Sequence, residues 1–181
     1  MSVCSSREVL EFWCTDRARA LWFSKDPEFD ADIRDKFFAT YTAAVDGHLE
    51  DWMEASSSAL ALCITLDQFP RNMFRGVARS WANDPLALSH ARRAVDLGYD
   101  HRVDRDLAPF FYLPYMHAED RTVQAQSVEL YRALGDAQSL RFALAHQDII
   151  ERFGRFPHRN AVIGRSSTAE EIEFLKTYSG F

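Results

Sequence analysis

Apolar residues return every third or fourth position along most of the chain, the period of helices that turn one face to a core. Phe29, Ile33, Phe37 and Tyr41 recur every fourth residue, Phe38 and Val45 widen the stripe, and Asp26-Pro27 supplies an N-cap followed by proline in the first turn. In "EASSSALALCITLDQF", Ala59, Leu62, Cys63, Leu66 and Phe69 share one face with Leu60 and Ile64 beside it, which predicts a helix buried on most sides. Asp84-Pro85 repeats the cap-plus-proline start, Leu88, Ala91 and Val95 give that helix its face, and Gly98 suits a left-handed end. Glu119 to Leu134 lines up Val123, Ser127, Leu130, Tyr131 and Leu134 and stops at Gly135. Gln138 to Phe153 carries two stripes, one of Leu140, Ala143, Leu144 and Ile150, the other of Phe142, Ile149 and Phe153, which predicts packing on two sides. Ser5 to Glu8 and Thr168 to Glu171 read as capping boxes that open the first and last helices.

No alternating β-branched run and no hairpin dipeptide interrupts this pattern. The expectation is an all-α bundle or array of about eight to ten helices. No linker or low-complexity tract divides residues 1–181, so a single domain is expected. Pro70 and Pro157 lack a backbone donor and push Phe69 and Phe156 out of helical geometry, so two helices are predicted to end there. "LDQFPRN" at 66–72 and "GRFPHRN" at 154–160 echo one another at these breaks.

Composition narrows the function classes. Hydrophobic residues make up 47% of the 181 and charged ones 27%, a globular balance. The net charge of -6 argues against a nucleic-acid partner, which calls for a dominant positive field. The opening "MSVCSSREVLEFW" has no secretory pattern, and no apolar run is long enough to cross a bilayer. A cytoplasmic location without membrane association is therefore expected. Cys4, Cys14 and Cys63 are scattered and odd in number, which suggests neither a disulfide framework nor a zinc knuckle.

"LDQFPRNMFRG", "FYLPYMHAED", "HQDIIERFGRFPHRN" and "GRSSTAEEIEFL", in that order, resemble the bacterial family catalogued as domain of unknown function 924, over almost the whole chain. Tyr115 and Ala118 depart from the Phe and Ser of that family's "PFMHSE" form. The resemblance implies a tetratricopeptide-like fold of helical hairpins. It implies no catalytic residues, since the family's activity is uncharacterised.

The candidate chemistry therefore comes from the residues. Arg71, Arg75, Arg155, Arg159 and Arg165 stand with His117, Glu119, His146, Glu151, Arg152, His158 and Asp67 where apolar helices break into polar turns. Clustered guanidinium groups need compensating anions. One reading is a structural network of Asp67, His146, Glu151 and Arg152 with their neighbours, including Asp148 to Arg152 and Glu151 to Arg155 at i,i+4. The other is a pocket in which Arg71, Arg155, Arg159 and Arg165 hold a small anionic metabolite and His117, Glu119 and His158 move protons, with turnover left open. "GRSST" before the last helix adds backbone donors to that pocket. A helical-array module for a protein partner is a further class, resting on fold analogy alone. A metal-dependent hydrolase using His117, Glu119, His146 and His158 is a third, although no HExxH spacing supports it; no metal or cofactor is expected.

Overall fold

The computed structural model describes residues 2–178 and 180, and among them only helices, turns and irregular segments occur. The chain divides into two compact units. The first comprises residues up to Arg75 together with Arg79–Pro114, and the second Gly76–Ala78 together with the chain from Tyr115 onward.

In the first unit, α1 (Ser6–Trp13) and α3 (Pro27–Val45) start as the sequence predicts, with a further helix, α2 (Asp16–Leu21), between them. The Ser5/Glu8 box is closed on both sides, Thr15 caps α2, and the Asp26 carboxylate accepts the Phe29 amide at 2.7 Å. After a 3-10 turn come α4 (Ser56–Cys63), a π-helical turn over Ile64–Gln68, and α5 (Phe69–Met73). Every residue from Ala59 to Pro70 is buried, so the expected all-round burial holds. A short 3-10 turn then leads to α6 (Asp84–Asp96), and α7 (Pro109–Met116) begins in this unit. Trp13 anchors the core, in ring contact with Trp22, Phe29, Phe69 and Phe110 at 5.5 to 6.2 Å.

Three expectations are corrected here. Pro70 does not end its helix: Phe69 keeps helical φ and ψ of -57° and -42°. The missing Pro70 amide is absorbed because the chain widens by one residue, with the Phe69 amide donating to the Ile64 carbonyl five residues back, so that proline falls in the first turn of α5 where no donor is needed. Asp84 is not an N-cap, for Asn83 holds that position and the Asp84 carboxylate faces Arg71 instead. The buried face of α6 is Ala87, His90, Ala91 and Ala94 rather than the Leu88 stripe, because small alanines let α6 lie close against α4.

In the second unit α8 (Arg121–Leu134) and α9 (Ala137–Phe153) are joined by Gly135 and Asp136 and pack along each other as a helical hairpin. Both end on a glycine in the left-handed region, Gly135 at φ 75° and Gly154 at φ 69°, a backbone state that other residues enter at a cost. The two-sided packing predicted for α9 is only partly realised: Ala143, Ile149 and Ile150 are buried, but Phe142 and Leu144 lie more than two-fifths exposed. Phe156 has the extended backbone expected before Pro157 (φ -88°, ψ 107°) and is fully buried against Ile149 and Ile150. A 3-10 turn over Pro157–Arg159 follows, then α10 (Ala169–Thr177), opened by the Thr168/Glu171 capping box. No helix among the described residues is long and apolar enough to cross a membrane.

Candidate functional site

The predicted site residues fall into two constellations, one in each unit, and each is built by the local break that the sequence announces.

In the first unit the π-helical turn presents Asp67, which is fully buried. Its carboxylate accepts from the Gln68 side-chain amide at 2.6 Å and lies 3.3 Å from Arg71. Arg71 also donates to the Asp67 carbonyl at 2.6 Å and reaches Asp84 at 3.0 Å. Burial pulls the Arg71 pKa down, but Asp67 and Asp84 outweigh it and leave the guanidinium more firmly protonated than usual. Arg75 donates through two nitrogens to Asp30, at 2.7 and 2.8 Å, and Asn72 supports the same carboxylate. Both arginines are thus compensated by carboxylates of their own unit. Cys63, one helical turn before Asp67, is fully buried, and burial with the nearby Asp67 charge drives its thiol pKa up. It is inert as a nucleophile.

The second unit gathers His117, Glu119, His146, Arg155, His158, Arg159 and Arg165. Glu119 stands before the N-cap Asp120 and turns away from α8: it accepts the Phe156 amide at 2.7 Å and two donors of Arg165 at 2.5 and 2.8 Å. Its carboxylate does not cap the helix dipole, as its position in sequence suggests, because Asp120 takes that role. Burial raises the Glu119 pKa, yet the Arg165 and Phe156 hydrogen bonds prevail and hold it below the usual carboxylate range. Arg155 grips Glu171 with two donors, at 2.7 and 2.8 Å, and gives a third bond to the Ser166 carbonyl. Glu171 also accepts from Thr168 and Asn160, and with Arg155 as the main cause its pKa falls to about 2. Arg152 pairs with Glu170 at 2.8 Å and Glu151 with Arg121 at 3.6 Å. The i,i+4 pairs expected along α9 are replaced by these longer-range ones: α10 brings Glu170 and Glu171 to Arg152 and Arg155, and α8 brings Arg121 to Glu151.

Around this scaffold sit the imidazoles. His146 is buried, and its Nδ1 lies 2.8 Å from the Phe142 carbonyl, which makes Nδ1 the donor and places the lone pair on Nε2. Its ring is 6.3 Å from that of His117 and 5.6 Å from that of Phe156. His158 lies 5.6 Å from the same Phe156 ring and stacks on Tyr178, 5.4 Å away and 13° from parallel. The Arg159 guanidinium, only 7% exposed, lies 4.6 Å over the Phe156 ring and donates to the His117 carbonyl at 3.1 Å. Burial first, then the charge on His117 and Arg159, lowers the His146 pKa to about 3; burial and then Arg159 take His158 to about 4. Burial raises the Tyr178 hydroxyl to about 12 against the pull of Arg159. Burial is thus the main reason that the two imidazoles stay neutral at pH 7, and the Arg159 charge adds to it while also acting on Glu119 and Tyr178.

Sequence reasoning passed over four contributors. Gln124 on α8 donates to the Met116 and Ala118 carbonyls at 2.8 and 2.7 Å and so braces the turn that carries His117 and Glu119. Asn160 ties the 160–167 turn together through Ser167, Glu171 doubles as helix cap and ion-pair acceptor, and Tyr178 closes the stack. Glu171 had a local signal as the end of the capping box, but its pairing with Arg155 sixteen residues away had none. The "GRSST" turn is taken up by these internal bonds. Among the described residues no group of three or more His, Cys, Asp or Glu side chains is placed to hold a metal ion.

A family model described as "Bacterial protein of unknown function (DUF924)" matches residues 9–179. A solved structure of a protein of unknown function, ATU0120 from Agrobacterium tumefaciens, is similar at 43% identity with a TM-score of 0.92, over 96% of this chain and 97% of that one. Comparison with curated proteins gives no match.

Proposed function

The chain belongs to the bacterial family of unknown function DUF924, and since membership assigns no chemistry, we propose from the side chains that it binds a small anionic metabolite at Arg159. Within the predicted set, Arg155 and Arg165 form the frame, each held by two bonds to a glutamate, and Arg71 serves the same purpose in the first unit. Arg159 is the contact for the ligand. The observation that carries the reading is the pairing of one buried guanidinium with two neutral imidazoles on the same phenylalanine ring. A positive focus favours a carboxylate or phosphate, and the charge of a bound anion would raise the depressed histidine pKa values, so that an imidazole beside it could take up a proton on binding. His158, half-buried, is the group that takes up the proton, with His117 also half-buried and Glu119 holding the turn through its bonds to the Phe156 amide and Arg165.

The test is native mass spectrometry of freshly purified protein, followed by a thermal-shift screen of phosphorylated and carboxylated metabolites. A ligand at a hundred times its dissociation constant stabilises the fold by about 2.7 kcal/mol. Arg159→Gln abolishes the response while the helical circular dichroism stays. A screen in which no anion moves the melting temperature, or in which Arg159→Gln responds as the wild type does, rejects the reading.

A further inference from the structure

We infer that the buried face of α8 carries an internal water-binding site, in which one water molecule bridges the Gln124 side-chain carbonyl and the Ser127 hydroxyl beneath the turn that bears His117 and Glu119.

Gln124 and Ser127 are both fully buried, three residues apart on a helix face whose other buried members are Val123, Val128 and Tyr131. The orientation of Gln124 is fixed by its own bonds. Its Nε2 donates to the Ala118 and Met116 carbonyls at 2.7 and 2.8 Å and reaches that of Tyr115 at 3.4 Å. Turning the amide over sets Oε1 against the same three oxygens, so the acceptor has to point the other way. There Oε1 makes no hydrogen bond among the described residues, and neither does the Ser127 hydroxyl. Positions three apart on a helix are neighbours, with Cβ atoms about 5–6 Å from each other. A molecule that joins two oxygens by hydrogen bonds of ordinary length spans about 5 Å.

The two atoms also specify what the occupant is. Gln124 Oε1 only accepts, whereas Ser127 Oγ both donates and accepts, so the molecule between them has to donate to the first and take either role towards the second. Water does this and is small enough for the seam in which α8 lies along α9. An anion is repelled by the Oε1 lone pairs, and among the described residues no cluster of His, Cys, Asp or Glu offers a metal ion its ligands. Leaving two buried polar atoms without partners is costly, and interior water is the usual remedy. The bridge holds the far end of the Gln124 amide, whose near end supports the carbonyls on either side of His117. It needs no ligand at Arg159.

The experiment is oxygen-17 relaxation dispersion of water with the full chain, which counts internal water molecules released far more slowly than surface ones, together with a high-resolution crystal structure of the wild type. Ser127→Ala is expected to lower the dispersion amplitude by that of one water, while Ser127→Thr, which keeps the hydroxyl, retains it. Helical circular dichroism checks that each variant is folded. If Ser127→Ala loses its helices, the wild-type crystal structure decides, and density for one water within hydrogen-bond reach of both Gln124 Oε1 and Ser127 Oγ upholds the site. Equal amplitudes for wild type and a folded Ser127→Ala overturn it. So does a crystal structure in which the Ser127 hydroxyl bonds directly to Gln124 or to the Val123 carbonyl with no water between the two side chains.

Discussion

Glu171 is 2% exposed and accepts from Arg155, Asn160 and Thr168, so a single carboxylate joins α9, the turn after it and α10. Glu171→Gln leaves the Arg155 fork facing a neutral amide, and a loss of about 2 kcal/mol is expected from urea unfolding. The imidazoles act in the opposite direction on pH. His146 and His158 have folded-state pKa values of about 3 and 4, below the unfolded value near 6.5. The unfolded chain therefore takes up protons first, and their contribution is complete above pH 6.5 and falls away as the pH drops. Buried His90, whose pKa burial also lowers, adds to the slope, whereas Glu171 begins to lose its contribution only below its unfolded value near 4.5. Between pH 6.5 and 4.5 unfolding free energy is thus expected to fall by up to about 1.4 kcal/mol per pH unit for each such histidine. His146→Asn, which retains a donor for the Phe142 carbonyl, flattens that slope by one proton; an unchanged slope contradicts the assignment.

Where elements start and stop, the sequence is readable because caps act locally. Asp26, Thr168 and Ser5 cap as their spacing predicts, and Gly135 and Gly154 stop α8 and α9 in the left-handed region. Thr168→Ala removes one half of the box that opens α10 and is expected to lower stability by about 1 kcal/mol. The same substitution should speed amide exchange in the first turn of α10, and protection equal to wild type would exclude the cap. The misreadings arise where a distant partner overrides a local rule. Pro70 forbids one hydrogen bond, but a π-helical turn and the Arg71 guanidinium supply another arrangement that no dipeptide signal encodes. Asp84 resembles a cap and serves Arg71. On α9 the i,i+4 pairing was visible, but the carboxylates that win, Glu170 and Glu171, come from a helix encoded about fifteen residues later.

At the scale of the molecule, helical periodicity makes the all-α class plain from the chain alone, and the sequence also shows arginine and histidine clustered near helix ends. What periodicity withholds is which arginine does what. Arg155, Arg159 and Arg165 are equivalent as letters in a turn; the structure shows Arg155 on Glu171, Arg165 on Glu119, and Arg159 over the Phe156 ring with a bond to the His117 carbonyl. The account makes Arg159 the electrostatic centre of the second unit, and the pH titration of the imidazole nitrogen signals by NMR tests this most directly. In the wild type, His146 and His158 are expected to titrate near pH 3 and 4 while exposed His101 serves as reference; in Arg159→Gln both midpoints move upward and that of His101 does not. Midpoints near 6.5 for both histidines in the wild type, or midpoints indifferent to Arg159→Gln, would contradict the account.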